Sequence, residues 1–169
     1  MGGKKSRDRG SRFERVCADV MTGLSGVRWA RTKIGDVDTF GDILPMAPVG
    51  GIWGHLFIEC KDHSDIGAGN ALLWPSAKVR GIWQKAVAQA AEVERVPLLM
   101  CKLSPGRSVV LGDADVLLPL AVEPMFTVVL NPGAFGRNVV AVDLDRLERR
   151  VGGGSLRRVP EKPPSMPGG

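Results

Sequence analysis

Tyrosine is absent from the 169 residues of this sequence, and histidine and cysteine are scarce, with two and three residues respectively. Two histidines leave little material for a histidine-rich metal site. The three cysteines, Cys17, Cys60 and Cys101, are far apart and form no CxxC pair, which disfavours both a disulfide framework and a cysteine zinc site. We therefore expect a protein of the reducing cytoplasm.

Long hydrophobic runs are also missing. No apolar stretch approaches the ~18–20 residues that a membrane span requires, and no charged-then-apolar signal segment opens the sequence. We therefore expect neither an integral membrane protein nor a secreted one. Apolar residues nevertheless make up 44% of the 169 residues, which is enough to build the core of one compact domain.

Positive charge is in modest excess and is unevenly distributed. The 23 Lys and Arg residues outnumber the 18 Asp and Glu residues, which gives a net charge of +5 and is compatible with a polyanionic partner. Residues 1–10 are predicted to form a basic flexible arm. Residues 151–169 contain five Gly and four Pro and are predicted to be a disordered tail. The folded domain is therefore expected over 11–150.

Hydrophobic periodicity predicts elements in the order α-β-β-β-α-β. The first helix is expected to begin at an N-cap, Ser11, and to bury Phe13, Val16, Cys17, Val20, Met21 and Leu24. The elements predicted after it are strands over 27–33, 41–47 and 55–61, a helix over 76–95 and a strand over 98–103. Further strands at 108–111, 126–130 and 138–142 and a short helix at 143–150 are expected to follow.

The most informative segment is the predicted strand that ends with Glu59, Cys60 and Lys61. Side chains alternate across a strand, so Glu59 and Lys61 share one face while Ile58 and Cys60 share the other. The Ile58 face suits a core, which makes Cys60 a packing residue rather than a nucleophile. The Glu59 face places a carboxylate beside an ammonium. Taken alone, such a pair is most often a solvated ion pair.

Asp42 precedes Glu59 on a neighbouring predicted strand, and a hairpin with its turn around 49–52 would bring the two close together. Two carboxylates held together repel each other unless a cation lies between them, and oxygen ligands suit Mg²⁺ or Mn²⁺. An ammonium at Lys61 could then hold a water molecule and stabilise charge that develops on a phosphate. The alternative is that Asp42 is only a turn residue.

Glu14 is a candidate third carboxylate. It lies about 90° from the centre of the apolar stripe of the first helix, at its border. From there it can reach inward toward the strand ends. A border side chain in water is an equally open interpretation.

Four segments together carry a family resemblance: 10–15 (GSRFER), 41–43 (GDI), 58–61 (IECK), and the helix with Gln84 that leads into 96–100 (VPLLM). This pattern resembles the PD-(D/E)xK nuclease superfamily and, within it, the archaeal and phage Holliday junction resolvases. The resemblance covers residues 10–103. It implies an α/β fold with a restriction-endonuclease-like αβββαβ core and a central mixed sheet, here followed by additional C-terminal strands and a short helix.

The resemblance also implies a catalytic set made of Glu14, Asp42, Glu59 and Lys61. Asp42, Glu59 and the backbone carbonyl of Cys60 would bind Mg²⁺, with Mn²⁺ as a substitute, and Glu14 would support the metal or the water. Asp38 and Asp36 remain alternative ligands to Asp42. The implied activity is endonucleolytic cleavage of four-way or branched DNA by a homodimer in the cytoplasm of a bacterium or a phage-infected cell.

Basic and polar side chains around these segments are candidates for contacts to DNA phosphates. The predicted set is Lys4, Lys5, Arg12, Arg31, Lys33, Arg80 and Gln84, with Arg28, Lys78 and Lys85 as further candidates. Two other functions stay open from the sequence. One is a nicking or restriction-like nuclease that cuts ordinary duplex DNA, and the other is a DNA-binding module of the same fold without catalysis.

Overall fold

A computed structural model of the chain describes residues 3–32, 41–62, 77–104, 107–117, 127–129 and 138–144. It contains three α-helices, a 3₁₀ helix and seven β-strands within these segments. In chain order they are α1 (Gly3–Ser25), β1 (Trp29–Arg31), β2 (Ile43–Pro45), the 3₁₀ helix (Gly51–His55), β3 (Leu56–Asp62), α2 (Ala77–Glu92), β4 (Val96–Ser104), β5 (Arg107–Asp113), α3 (Ala114–Leu117), β6 (Thr127–Val129) and β7 (Val139–Asp143).

Five strands form a mixed sheet in the order β3-β4-β5-β7-β6. Strands β3 and β4 are parallel, with Glu59 opposite Leu99, and α2 is the crossover between them. The remaining pairs, β4 with β5, β5 with β7, and β6 with β7, are antiparallel. The order of elements from α1 to β4 is the predicted αβββαβ order, and β5, β6 and β7 are the additional C-terminal strands.

The two faces of the sheet bury separate hydrophobic clusters because side chains alternate along each strand. On one face, α1 packs Phe13 and Cys17 against a cluster that includes Ile58 and Cys60 of β3. On the other face, α2 packs Trp83 and other residues against the alternate residues of β4, β5 and β7. Glu59 and Lys61 therefore belong to the α2 face of β3.

Helix α1 begins at Gly3, eight residues before the predicted N-cap Ser11. Residues 3–10 are thus helical, although we expected them to belong to a flexible arm outside the domain. Lys and Arg are good helix formers and the segment contains no proline, so its single interior Gly10 is tolerated at a cost of about 1 kcal/mol. The predicted buried stripe is otherwise correct, except that Val16 is 39% exposed.

The predicted hairpin between the segments of Asp42 and Glu59 is wrong. Strand β2 pairs antiparallel with β1, and Gly41 makes a parallel bridge to Ile58 of β3. The connection from β2 to β3 contains the 3₁₀ helix, with Ile52 and Trp53 buried. Because this segment returns the chain to the start of β3, the chain passes through Gly41 and through β3 in the same direction.

Helix α2 ends at Glu92, three residues earlier than predicted. Glu94 adopts a left-handed conformation with φ of 52°, and the Arg95 amide donates to the carbonyl of Ala90 at 2.8 Å, which closes the helix. The predicted tail at 151–169 and all but the first two residues of the predicted helix at 143–150 lie outside the described residues. Among the described helices, none is long and apolar enough to cross a membrane.

Candidate active site

Three predicted site residues meet at the edge strand β3. The Lys61 ammonium forms an ion pair with Oε1 of Glu59, its neighbour on the α2 face, and lies 3.5 Å from Oδ2 of Asp42. Glu59 is buried at 9% exposure, whereas about a third of the Lys61 side chain and a similar part of Asp42 remain exposed. A buried carboxylate and an accessible one therefore share a single ammonium, although the chain segments that carry them do not form a hairpin.

Backbone contacts fix the position of Asp42 beside β3. Its amide donates to the carbonyl of Ile58 at 2.8 Å, and its carboxylate Oδ2 accepts from the amide of Cys60 at 2.7 Å. The Asp42 side chain thus takes an acceptor position that a neighbouring strand's carbonyl would otherwise fill. The preceding residue must be glycine, because Gly41 has φ of +110° and a Cβ there would lie 2.7 Å from the Ile58 oxygen.

The electrostatics of the cluster show an excess of negative charge. Burial, and next the nearby Asp42 carboxylate, raise the pKa of Glu59, while the hydrogen bond and charge of Lys61 oppose that rise. Burial alone would lower the pKa of Lys61, but the hydrogen bond to Glu59 and the charges of both carboxylates outweigh it and raise this pKa. One ammonium therefore does not fully compensate two adjacent carboxylates.

Glu14 has a different partner. Its Oε2 accepts from Nε of Arg31, the last residue of β1, in an ion pair between helix and strand. Within the segments that the structure describes, no group of three or more His, Cys, Asp or Glu side chains is arranged to hold a metal ion. The structure thus brings Asp42, Glu59 and Lys61 together and pairs Glu14 with Arg31. Sequence reasoning did not find this pairing, because periodicity carries no signal for contacts between charges seventeen residues apart.

The donor set of the cluster fits a hard divalent cation. Asp42 and Glu59 supply carboxylate oxygens to the same small volume, and Mg²⁺ prefers oxygen ligands and commonly takes one or two carboxylates from a protein. A dication between them would also relieve the repulsion that raises the pKa of Glu59. The two carboxylates are therefore suited to a magnesium or manganese ion.

Cys60 packs as predicted, with its thiol on the α1 face. It is 5% exposed, and its pKa is raised well above the usual value by burial first and by the adjacent Cys17 second. A neutral, buried thiol cannot act as a nucleophile. Cys60 can therefore serve the site only through its backbone.

The predicted DNA-contacting residues are dispersed. Arg12 on α1 and Arg80 and Gln84 on α2 are exposed. Lys4 and Lys5 belong to the first turns of α1, where side chains are not described, and Lys33 lies outside the described residues, as do the alternative ligands Asp36 and Asp38.

Lys85 on α2, predicted as a phosphate contact, also lies close enough to the carboxylate cluster to act on it. Its charge lowers the pKa of Glu59, so it acts on the carboxylate cluster. A signal was present in the sequence, since Lys78 and Lys85 are seven residues apart and therefore lie on one side of a helix.

Comparison with known proteins bears on this geometry. A family model described as "Phage putative PDDEXK endonuclease" matches residues 5–129. The chain belongs to this family. The match runs from α1 to the end of β6 and contains Asp42, Glu59 and Lys61. It confirms the predicted membership of the PD-(D/E)xK superfamily and the restriction-endonuclease-like α/β fold. Neither the curated proteins nor the solved structures give a match.

Proposed function

We propose that this PD-(D/E)xK protein is a Mg²⁺-dependent DNA endonuclease that resolves four-way or other branched DNA in the cytoplasm of the host cell. The observation that carries the proposal is the convergence of Asp42, Glu59 and Lys61 at the partly exposed carboxyl end of β3. A protein that only bound DNA would gain nothing from two carboxylates held together, because they repel both each other and the phosphate backbone.

Asp42 and Glu59 would hold the metal ion, with the backbone carbonyl of Cys60 as a further oxygen ligand. A bound Mg²⁺ or Mn²⁺ supplies Lewis acidity toward a phosphate oxygen and acidity to a coordinated water. The hydrogen bond from the Cys60 amide keeps the Asp42 carboxylate in a fixed orientation. Burial of Glu59 removes competing water from its carboxylate.

Lys61 is the residue that we assign to the reacting atoms. Its ammonium lies between both carboxylates and is partly exposed, so it can donate to a water molecule or to a phosphate oxygen. In hydrolysis, the water oxygen bonds to phosphorus and gives up one proton to the solvent, the ester bond to the leaving oxygen breaks, and that oxygen takes up a proton. A cation beside the phosphate stabilises the charge that grows on its oxygens in the transition state.

Glu14 and Arg31 flank this centre as a pair. We propose that Glu14 supports the metal or its water and that Arg31 contacts a DNA phosphate, since a phosphate can replace a carboxylate as the partner of a guanidinium. Arg12, Lys4, Lys5 and Lys33 would extend the phosphate-binding surface. Arg80 and Gln84 remain predictions for the same surface.

The preference for branched DNA and the homodimer rest on the resemblance to Holliday junction resolvases. Resolution requires incision of two strands, which a dimer with one site in each subunit can supply. The presence of three free cysteines, all of them buried, is compatible with the cytoplasmic location.

A cleavage assay with end-labelled DNA tests this proposal. The substrates are a four-way junction, a linear duplex of the same sequence and the single strand, each with Mg²⁺, with EDTA, or with Mn²⁺ restored after EDTA. We expect paired incisions in the junction that require the metal, and a loss of at least about a hundredfold in Lys61→Ala, in line with the loss of one transition-state contact.

Arg95→Lys is the matched control, because Arg95 donates to the Leu56 carbonyl at the far end of β3. Equal cleavage of junction and duplex would support the alternative of a nicking or restriction-like nuclease. Binding of DNA without cleavage in either metal would contradict the assignment of Lys61 and favour the non-catalytic module.

A further inference from the structure

Two lysines occupy one side of α2. Lys78 and Lys85 are separated by seven residues, which amounts to about 700° of helix rotation and brings them within about 20° of each other. Both are exposed, and they lie about 10 Å apart along the helix axis at 1.5 Å per residue. The buried line of α2 is formed by Val79, Trp83, Ala86 and Ala90. The lysine side is therefore one flank of this buried line.

The topology determines which flank of α2 faces β3. Crossovers between parallel strands are right-handed. In a helix that follows β3 and precedes β4, the side that faces β3 therefore lies about a quarter turn before the buried line, counted along the chain. Lys78 and Lys85 lie on that side, whereas Arg80 and Gln84 lie on the opposite flank, which faces away from β3. Glu59 and Lys61 are on the α2 face of β3, beside the lysine flank.

The electrostatics agree with this placement independently. Among the charges that act on Glu59, that of Lys85 lowers its pKa, and the charge of Lys78 likewise acts on Cys101 at the same end of the sheet as Lys61. The lysine flank of α2 therefore borders the carboxylate cluster.

We propose that Lys85 binds the backbone phosphates that adjoin the cleaved bond. Lys78 would assist it, since Lys78 lies near the start of α2 and therefore closer to the carboxyl end of β3. This inference rests on the proposed nuclease function and assigns its substrate-binding flank. Lys85 is exposed, with no carboxylate of α2 one turn away on either side, since Gly81, Ala88 and Gln89 occupy those positions. Lys85 also offsets the repulsion between the carboxylate cluster and the approaching DNA strand.

The experiment measures binding of labelled duplex and four-way junction by full-length protein in Ca²⁺, over a series of salt concentrations, followed by cleavage in Mg²⁺. The variants are Lys85→Ala, the conservative Lys85→Arg and, as a control, Arg15→Ala, which removes an exposed cation of α1 on the other face of the sheet. Loss of one phosphate contact makes the slope of log K against log salt shallower by about 0.9. The affinity ratio of wild type to variant therefore falls about 8-fold for each tenfold rise in salt concentration.

We expect this loss in Lys85→Ala, with KM raised and kcat little changed, and recovery in Lys85→Arg, because either cation can contact a phosphate. An unchanged salt slope in Lys85→Ala would overturn the inference, as would an equal or larger loss in Arg15→Ala. If the wild type cuts DNA and Lys85→Ala cuts it at the same rate at low substrate concentration, this inference alone is refuted. A wild-type protein that neither binds nor cuts DNA would refute the proposed function together with it.

Discussion

Asp42 is held by its backbone as well as by its charge. Its Oδ2 accepts from the Cys60 amide at 2.7 Å and lies 3.5 Å from the Lys61 ammonium. The first contact serves the fold because it satisfies an amide of β3. The second serves the proposed chemistry because it places a carboxylate beside Glu59. Substitutions can separate these two roles.

We expect Asp42→Ala to lower the free energy of unfolding by about 1–3 kcal/mol, since the Cys60 amide loses its acceptor. Asp42→Asn retains a side-chain oxygen for that amide, and it loses both the repulsion with Glu59 and the attraction to Lys61, so its stability should stay close to that of the wild type. Both variants should be inactive as nucleases. Urea denaturation measures the difference in the free energy of unfolding. Equal destabilisation by the two substitutions would show that the hydrogen bond from the Cys60 amide to Asp42 does not contribute to stability.

Gly41 is the residue at which the backbone permits this arrangement. We expect Gly41→Ala to destabilise the protein by about 2 kcal/mol or more, because φ of +110° is strained for alanine and its Cβ would lie 2.7 Å from the Ile58 oxygen. Gly50→Ala is the control, since Gly50 has φ of −81° and open space at its Cβ position. Thermal melting of the two variants makes the comparison, and similar melting temperatures would contradict the role of Gly41.

At the scale of secondary-structure elements, β3 and α2 could be predicted from the sequence because their hydrophobic patterns are strong. The pairing of β2 could not, because the turn that returns the chain to β3 depends on burial of Ile52 and Trp53, which is a tertiary effect. The start of α1 was missed because Ser11 resembles an N-cap, although the helix continues through it. The proximity of Asp42 to Glu59 was therefore expected from a hairpin that the structure does not contain.

The central strands also carry a pH-dependent contribution to stability. Burial, and then the charge of Asp62, raise the pKa of Cys101 on β4 to about 12, from 9.0. A group whose pKa is raised by folding stabilises the protein fully below pH 9 and loses that contribution as the pH rises toward 12. The loss is at most about 1.4 kcal/mol per pH unit.

We therefore expect the urea midpoint to fall between pH 9 and pH 10.5, and to fall less steeply in Cys101→Ala than in the wild type. Cys101→Ala is itself destabilised at neutral pH by its cavity, so the slope against pH, and not the absolute midpoint, is the measured quantity. An identical slope in both proteins would show that the thiol of Cys101 does not contribute.

At the scale of the whole molecule, the site lies at the margin of the sheet and not in its centre. Strand β3 is the first of the five strands, and the segment at Gly41 and Asp42 bridges to its outer edge. The two hydrophobic clusters on either face hold β3 in place, while Lys61 and Asp62 at its carboxyl end are partly exposed. Hydrophobic patterning predicts this general architecture, whereas the partner of Glu14 and the flank of α2 that faces the site follow only from the assembled fold.

The central claim is that Asp42 and Glu59 bind one divalent ion, and Mn²⁺ binding followed by electron paramagnetic resonance tests it without reference to activity. We expect wild-type protein to bind Mn²⁺ and Asp42→Asn and Glu59→Gln each to bind it at least about tenfold more weakly, because each removes a charged oxygen ligand. Lys61→Ala, which removes a competing cation, should bind at least as tightly as the wild type. Equal Mn²⁺ affinity in the wild type and both carboxylate variants would contradict the account.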